Sequence, residues 1–134
     1  MLLGALILIP GIYFSIQLHP YEYTYFNSLT GKVYRIYDTD YWLTCYKESI
    51  EWVRANHPQA TLYVQREPAL ANYYSNGLNI QSLDDKAETD IHPGDLLLFS
   101  TRADLDIRSV YRKLPVIASI GRQGADFCLI KRKE

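Results

Sequence analysis

The chain has 134 residues, 48% of them hydrophobic and 22% charged, with a formal net charge of -1. That length bounds it to about one domain, and that composition is ordinary for a globular fold. The near-neutral balance excludes an electrostatic case for nucleic-acid binding. The averages hide a gradient, however. No Asp, Glu, Lys or Arg precedes Glu22, and eight of the twelve tyrosines lie at or before Tyr46.

The first element is the uncharged run "LLGALILIPGIYFSIQL", Leu2 to Leu18. As a helix it is about 25 Å long, slightly short of the roughly 30 Å of a bilayer core. A signal peptide needs a basic start and a small-residue cleavage site, which "MLLG" and "SIQLHP" do not supply. A buried core helix or strand is the bland reading. The aromatics that follow favour a transmembrane helix over residues 1–18, because Tyr and Trp gather where chains leave a bilayer. Tyr13 and Phe14 approach that layer from the apolar side. Tyr21, Tyr23, Tyr25 and Phe26 occupy it, in an interfacial segment and connector over residues 19–43.

An α/β domain is expected over residues 44–134. Tyr46, Ile50 and Val53 recur at helical spacing, with Thr44 as N-cap and Pro58 as the stop. "TLYVQ" reads as a strand, and "PALANYYSNG" as a helix opened by Pro68 and closed by Gly77. "LNIQSL" reads as a second strand. "DDKAETDIHPGD" is a polar excursion ending in a Pro-Gly turn. "LLLFS" is an apolar strand covered on both faces. Thr101 and Asp104 resemble a capping box for a helix that turns Leu105, Val110 and Leu114 inward. "VIASI", the turn "GRQG" and "DFCLI" form a terminal hairpin, with "KRKE" as a solvated end. The alternation of strands and helices predicts a small Rossmann-like, mostly parallel α/β sheet with a C-terminal hairpin.

Residues able to do chemistry are sparse. The seven glycines make neither GxGxxG nor a P-loop, so no cofactor is expected. His19, His57 and His92 each precede proline and are far apart, which gives no metal-ligand spacing. Cys45 and Cys128 fit either one disulfide or two half-buried thiols. The best polar candidate is "YDTDYW". Asp38 and Asp40 share a face of an extended chain and suit a cation or an acid/base pair. The plainer reading has them capping turns or helix starts while Tyr41 and Trp42 pack on the sheet.

"HPYEYTYFN" (His19 to Asn27) followed by "DYWLTCYKESIEWV" (Asp40 to Val53) resembles the junction near the C-terminus of bacterial dolichyl-phosphate-mannose protein mannosyltransferase-like enzymes. These are family 39 membrane glycosyltransferases of the GT-C class. The resemblance covers about 25 residues in two blocks. It departs at Leu43, where the family pattern has glycine. It implies a last transmembrane helix leading to an extracytoplasmic domain at the cell membrane. The enzyme as a whole would move a sugar from a polyprenyl-phosphate donor. No catalytic residue carries over to this chain, because the family's essential acid lies in an earlier loop. The implied partners are membrane lipid, the transmembrane portion of the same or a companion enzyme, and a lipid-linked donor or acceptor. Two other readings remain: a single-pass anchored binding module, and a small soluble α/β enzyme. The membrane reading also expects a chain beginning near Ser28 to fold.

Overall fold

A computed structural model describes residues 2–25, 36, 38 and 40–134, with side chains from Leu8 onward. Phe26 and most of the connector before Asp40 lie outside the described residues. Helix α1 spans Leu2–Leu18 and a short 3-10 turn follows at Glu22–Thr24. The domain then runs α2 (Cys45–Asn56), β1 (Leu62–Val64), α3 (Pro68–Tyr74), β2 (Ile80–Ser82), β3 (Leu96–Ser100), the single turn α4 (Leu105–Arg108), β4 (Val116–Arg122) and β5 (Ala125–Arg132).

The five strands form one sheet in the order β2-β1-β3-β5-β4. β1 pairs in parallel with both β2 and β3. β5 pairs antiparallel with both β3 and β4. The sheet is therefore mixed rather than mostly parallel. β1 and β2 are three residues each, whereas the hairpin strands are seven and eight, so antiparallel pairing predominates. The returning hairpin strand also enters beside β3 and leaves β4 at the edge.

Period-2 alternation divides the strands between two cores. Leu62, Val64, Leu96 and Leu98 face α2 and α3 and meet Tyr46, Ile50, Val53 and Ala71, all fully buried. Tyr63, Leu97 and Phe99 face the other way, under Ile91 of the polar excursion and Tyr111. All five residues of β3 are buried, as a doubly covered strand requires. Cys45 at the start of α2 is bonded to Cys128 on β5, stapling the helical layer to the antiparallel half of the sheet.

The hairpin turn shows why its glycines are needed. Gln123 and Gly124 both have positive φ, 52° and 77°, the type I′ geometry whose twist matches that of paired strands. A Cβ on Gly121 would lie 2.0 Å from the Ala125 carbonyl oxygen.

Three expectations are corrected. The helix expected after Thr101 is broken. Ala103 and Asp104 take left-handed φ values of 53° and 57°, Ser109 is extended, and Val110 is 76% exposed. Thr101 caps nothing; its hydroxyl donates to the Asp126 carbonyl at 2.8 Å. The end of the chain is not all solvated. β5 runs to Arg132, and Lys131 is 2% exposed. Its ammonium donates to the carbonyls of Asp106, Tyr111 and Arg112 at 2.9, 3.3 and 3.1 Å.

The third correction concerns α1. Its helix covers the expected run, but among the described residues no helix is long and apolar enough to cross a membrane. At 17 residues it reaches about 25 Å. Pro10 lies within it. Of its described side chains, those from Leu8 onward, only Leu18 is buried; Leu8, Ile9, Ile12, Tyr13 and Ile16 are exposed.

Candidate functional site

The chemistry-bearing side chains gather where α1 meets the domain. Tyr21 directly follows the His19-Pro20 turn and points inward. It is fully buried in the larger core, 4.9 Å from the Phe127 ring centroid. The Arg122 guanidinium lies 4.8 Å from its ring and donates to Glu48 Oε1 at 2.6 Å. Tyr21 is therefore a core residue and not a membrane-interface one. Its hydroxyl is buried without a hydrogen-bond partner. Burial, reinforced by Glu48, drives its pKa far above the usual phenol range. A chain beginning near Ser28 would lack this ring, so the domain's packing begins earlier than residue 44.

Asp40 is 2% exposed, and its partners explain its burial. Oδ1 accepts from the Thr44 backbone N–H at 3.0 Å, and Oδ2 from that of Cys45 at 2.8 Å. Those are orphan donors at the start of α2, and a carboxylate there also complements the helix dipole. The Thr44 hydroxyl makes no cap; Asp40 does the capping from four residues upstream. The Tyr23 hydroxyl donates to Asp40 Oδ1 and lies 2.9 Å from Thr44 Oγ1. Its pKa is raised, first by burial and then by the bond to Asp40.

Asp38 has a different job. Its Oδ1 accepts from the Ala103 N–H at 2.8 Å, tying the connector to the loop after β3. The two carboxylates thus serve separate backbone segments, as caps and not as a pair. No group of three or more His, Cys, Asp and Glu residues among the described residues could hold a metal ion.

Between these anchors Tyr41 and Trp42 project outward, 48% and 71% exposed. Their rings meet edge to face at 5.1 Å. Neither packs on the sheet as the plainer sequence reading expected. Arg102, 61 residues away, covers Tyr41 with its guanidinium 3.7 Å from the ring centroid. It also donates to the Tyr41 carbonyl at 2.9 Å. Nothing local in the sequence marks Arg102; the loop after β3 delivers it.

Leu43 has φ +58°, the left-handed conformation that costs a side-chain-bearing residue about 1–2 kcal/mol. This is the position where the resembled pattern has glycine. Leucine is retained with its side chain 3% exposed in the larger core, and that burial offsets the backbone cost.

On the α1 side, Phe14 is half-buried between Tyr13 and Tyr25, at centroid distances of 5.6 and 5.5 Å. Tyr23 and Tyr25 are 46% and 44% exposed. A groove of about 170 Å³ runs between α1 and the 3-10 turn, lined by Gly11, Phe14, Ser15, Leu18, Glu22 and Tyr25. At its mouth His19 Nδ1 is 2.7 Å from Glu22 Oε1. The Glu22 carboxyl is held below its usual range by a backbone hydrogen bond and then by His19.

These residues define a disulfide-stapled mixed α/β domain, rooted through buried Tyr21 to an uncharged and exposed helix. No family model, curated protein or solved structure matches the chain.

Proposed function

We propose that the chain is the membrane-seated, non-catalytic end of a membrane glycosyltransferase that uses a polyprenyl-phosphate sugar donor. In this reading α1 is embedded in the bilayer and the α/β domain stands outside the cytoplasm. The domain packs on the enzyme's membrane portion or assists donor or acceptor binding there. The observation that carries the proposal is α1. It has no charged residue, its side chains Leu8, Ile9, Ile12, Tyr13 and Ile16 are exposed while only Leu18 of the described ones is buried, and so large an uncovered apolar surface needs lipid or protein around it. Two features support it further: the resemblance of residues 19–27 and 40–53 to the family 39 junction, and the Cys45–Cys128 disulfide, which suits an oxidising compartment.

Flotation with phospholipid vesicles tests the seat. The full chain is expected to float, and Ile12→Lys with Ile16→Lys to abolish flotation, since each lysine at membrane depth costs about 2.5–3.5 kcal/mol. A wild-type chain that stays in the aqueous fraction refutes the reading. The enzymatic part is tested by the coding sequence preceding Met1. Membrane spans encoded there, together with loss of sugar transfer when residues 19–134 are deleted, support it. An upstream sequence without spans refutes it.

A further inference from the structure

The aromatics around α1 do not end at Tyr25. Tyr23 joins the root of α1 to Asp40 by its hydroxyl, and Tyr41 and Trp42 follow Asp40 directly. Exposed rings thus occur both at the root of α1, at Tyr13, Tyr23 and Tyr25, and at Tyr41 and Trp42 just beyond Asp40. We propose that Tyr41, Trp42 and Arg102 form a second membrane contact, separate from α1, that seats the domain on the phospholipid headgroup layer. This inference rests on the membrane seat of α1 and adds to it a fixed orientation of the domain.

Three observations carry it. The loop is held rigidly enough to present its rings. Asp40 is bonded to the start of α2, Leu43 is buried, and Asp38 is tied to Ala103. A loop so fixed spends its exposure on Trp42, which touches only Tyr41 among the described aromatic rings. Exposed Trp and Tyr with an apolar body and a polar tip suit the headgroup layer. Third, the Arg102 guanidinium is already oriented by the Tyr41 ring and carbonyl. Among the described residues its remaining guanidinium N–H groups have no hydrogen-bond acceptor, which leaves them to a lipid phosphate, a group that arginine binds in a fork. The acidic neighbours Asp38 and Asp104 are engaged by the Ala103 N–H and, at 3.9 Å, by Arg108. The contact is therefore one of rings and one phosphate and not of net charge. A single helix leaves a domain free to tilt and rotate about its root; a second contact removes that freedom.

The test uses the full chain carrying Trp52→Phe, so that Trp42 is the sole tryptophan, on vesicles of phosphatidylcholine and phosphatidylglycerol. Trp42 is expected to lose its quenching by aqueous iodide and to be quenched by lipids brominated near the headgroup end of the acyl chains. Arg102→Gln is expected to shift the seated-to-lifted ratio of the loop by about five-fold, the worth of one cation at such a surface. Tyr73, 82% exposed on α3, supplies the control. A chain with Tyr73→Trp and both native tryptophans replaced by phenylalanine is expected to remain open to iodide. If the chain floats and Trp42 stays open to iodide, this inference is overturned while the seat of α1 stands. Emission changes at Trp42 on adding a soluble saccharide, without lipid protection, overturn it in favour of a sugar-stacking platform. If the chain does not float, the underlying reading falls and takes this one with it.

Discussion

Replacing Tyr21 separates a core ring from a lipid-facing one. Tyr21→Ala removes a fully buried ring, its pairing with Phe127 at 4.9 Å and the surface on which Arg122 rests. Truncating a buried aromatic to alanine costs about 3–5 kcal/mol. For a domain of this size that lowers the melting temperature by about 12–25 °C. Tyr21→Phe keeps the ring and removes a hydroxyl that has no partner. It is expected to stay within about 1 kcal/mol of the wild type, on the stabilising side, because an unsatisfied buried polar group is itself a cost. The assay is thermal unfolding in mild detergent, followed by near-ultraviolet circular dichroism, with vesicle flotation run in parallel. Tyr21→Ala unfolding at the wild-type midpoint while losing lipid association would refute the core assignment. A Tyr21→Phe loss above about 1 kcal/mol would show that the hydroxyl is bonded after all.

Reducing or deleting the Cys45–Cys128 bond, which closes a separation of 83 residues, is expected to cost about 4–5 kcal/mol by loop entropy; denaturant midpoints with and without reductant check it. Stability is expected to fall as pH rises above about 10. Burial raises the folded-state pKa of Tyr21 and Tyr46 well above the ordinary 10.0, so the unfolded chain ionises first. Each residue then removes up to about 1.4 kcal/mol per pH unit, and alkaline titration of the Tyr21→Phe, Tyr46→Phe pair should show the flatter profile. Lys131→Met removes a donor from the carbonyls of Asp106, Tyr111 and Arg112, of which Tyr111 keeps the Leu114 N–H, at about 1–3 kcal/mol for each one left buried and unpaired; hydrogen exchange should quicken across residues 105–114 before the sheet itself. Leu43→Gly relieves about 1–2 kcal/mol of left-handed strain but gives up a side chain whose removal costs about 2–5, so a net loss at the denaturant midpoint is expected.

Elements whose pattern is local could be read from the sequence. Tyr46, Ile50 and Val53 mark one face of α2, and all three are fully buried. "LLLFS" lacks alternation because both its faces are covered. The terminal hairpin carries its own turn chemistry at Gln123 and Gly124. What could not be read depends on residues far apart in the chain. The apolar spacing of residues 105–114 suits a helix, yet carbonyls that would serve that helix are taken by Lys131 from the far end of the chain. Tyr21 sits in a sequence that looks interfacial, and Phe127 with Arg122 draws it inside. Of the site, the two aspartates were legible as caps, because short carboxylates satisfy backbone N–H groups. Their particular clients, α2 and Ala103, were not. Arg102 has no local signal, since its partner Tyr41 is 61 positions away.

The bond between Cys45 and Cys128 also makes a covalent ring that takes in every strand of the sheet. The polar excursion at residues 84–95 lies on that ring, with residues 84–90 all exposed. A protease that cuts there opens the ring without releasing a fragment. Such a nicked chain would migrate as one species until reductant is added and as two afterwards, and it would leave the root of α1 still fastened to the strand that holds Tyr21.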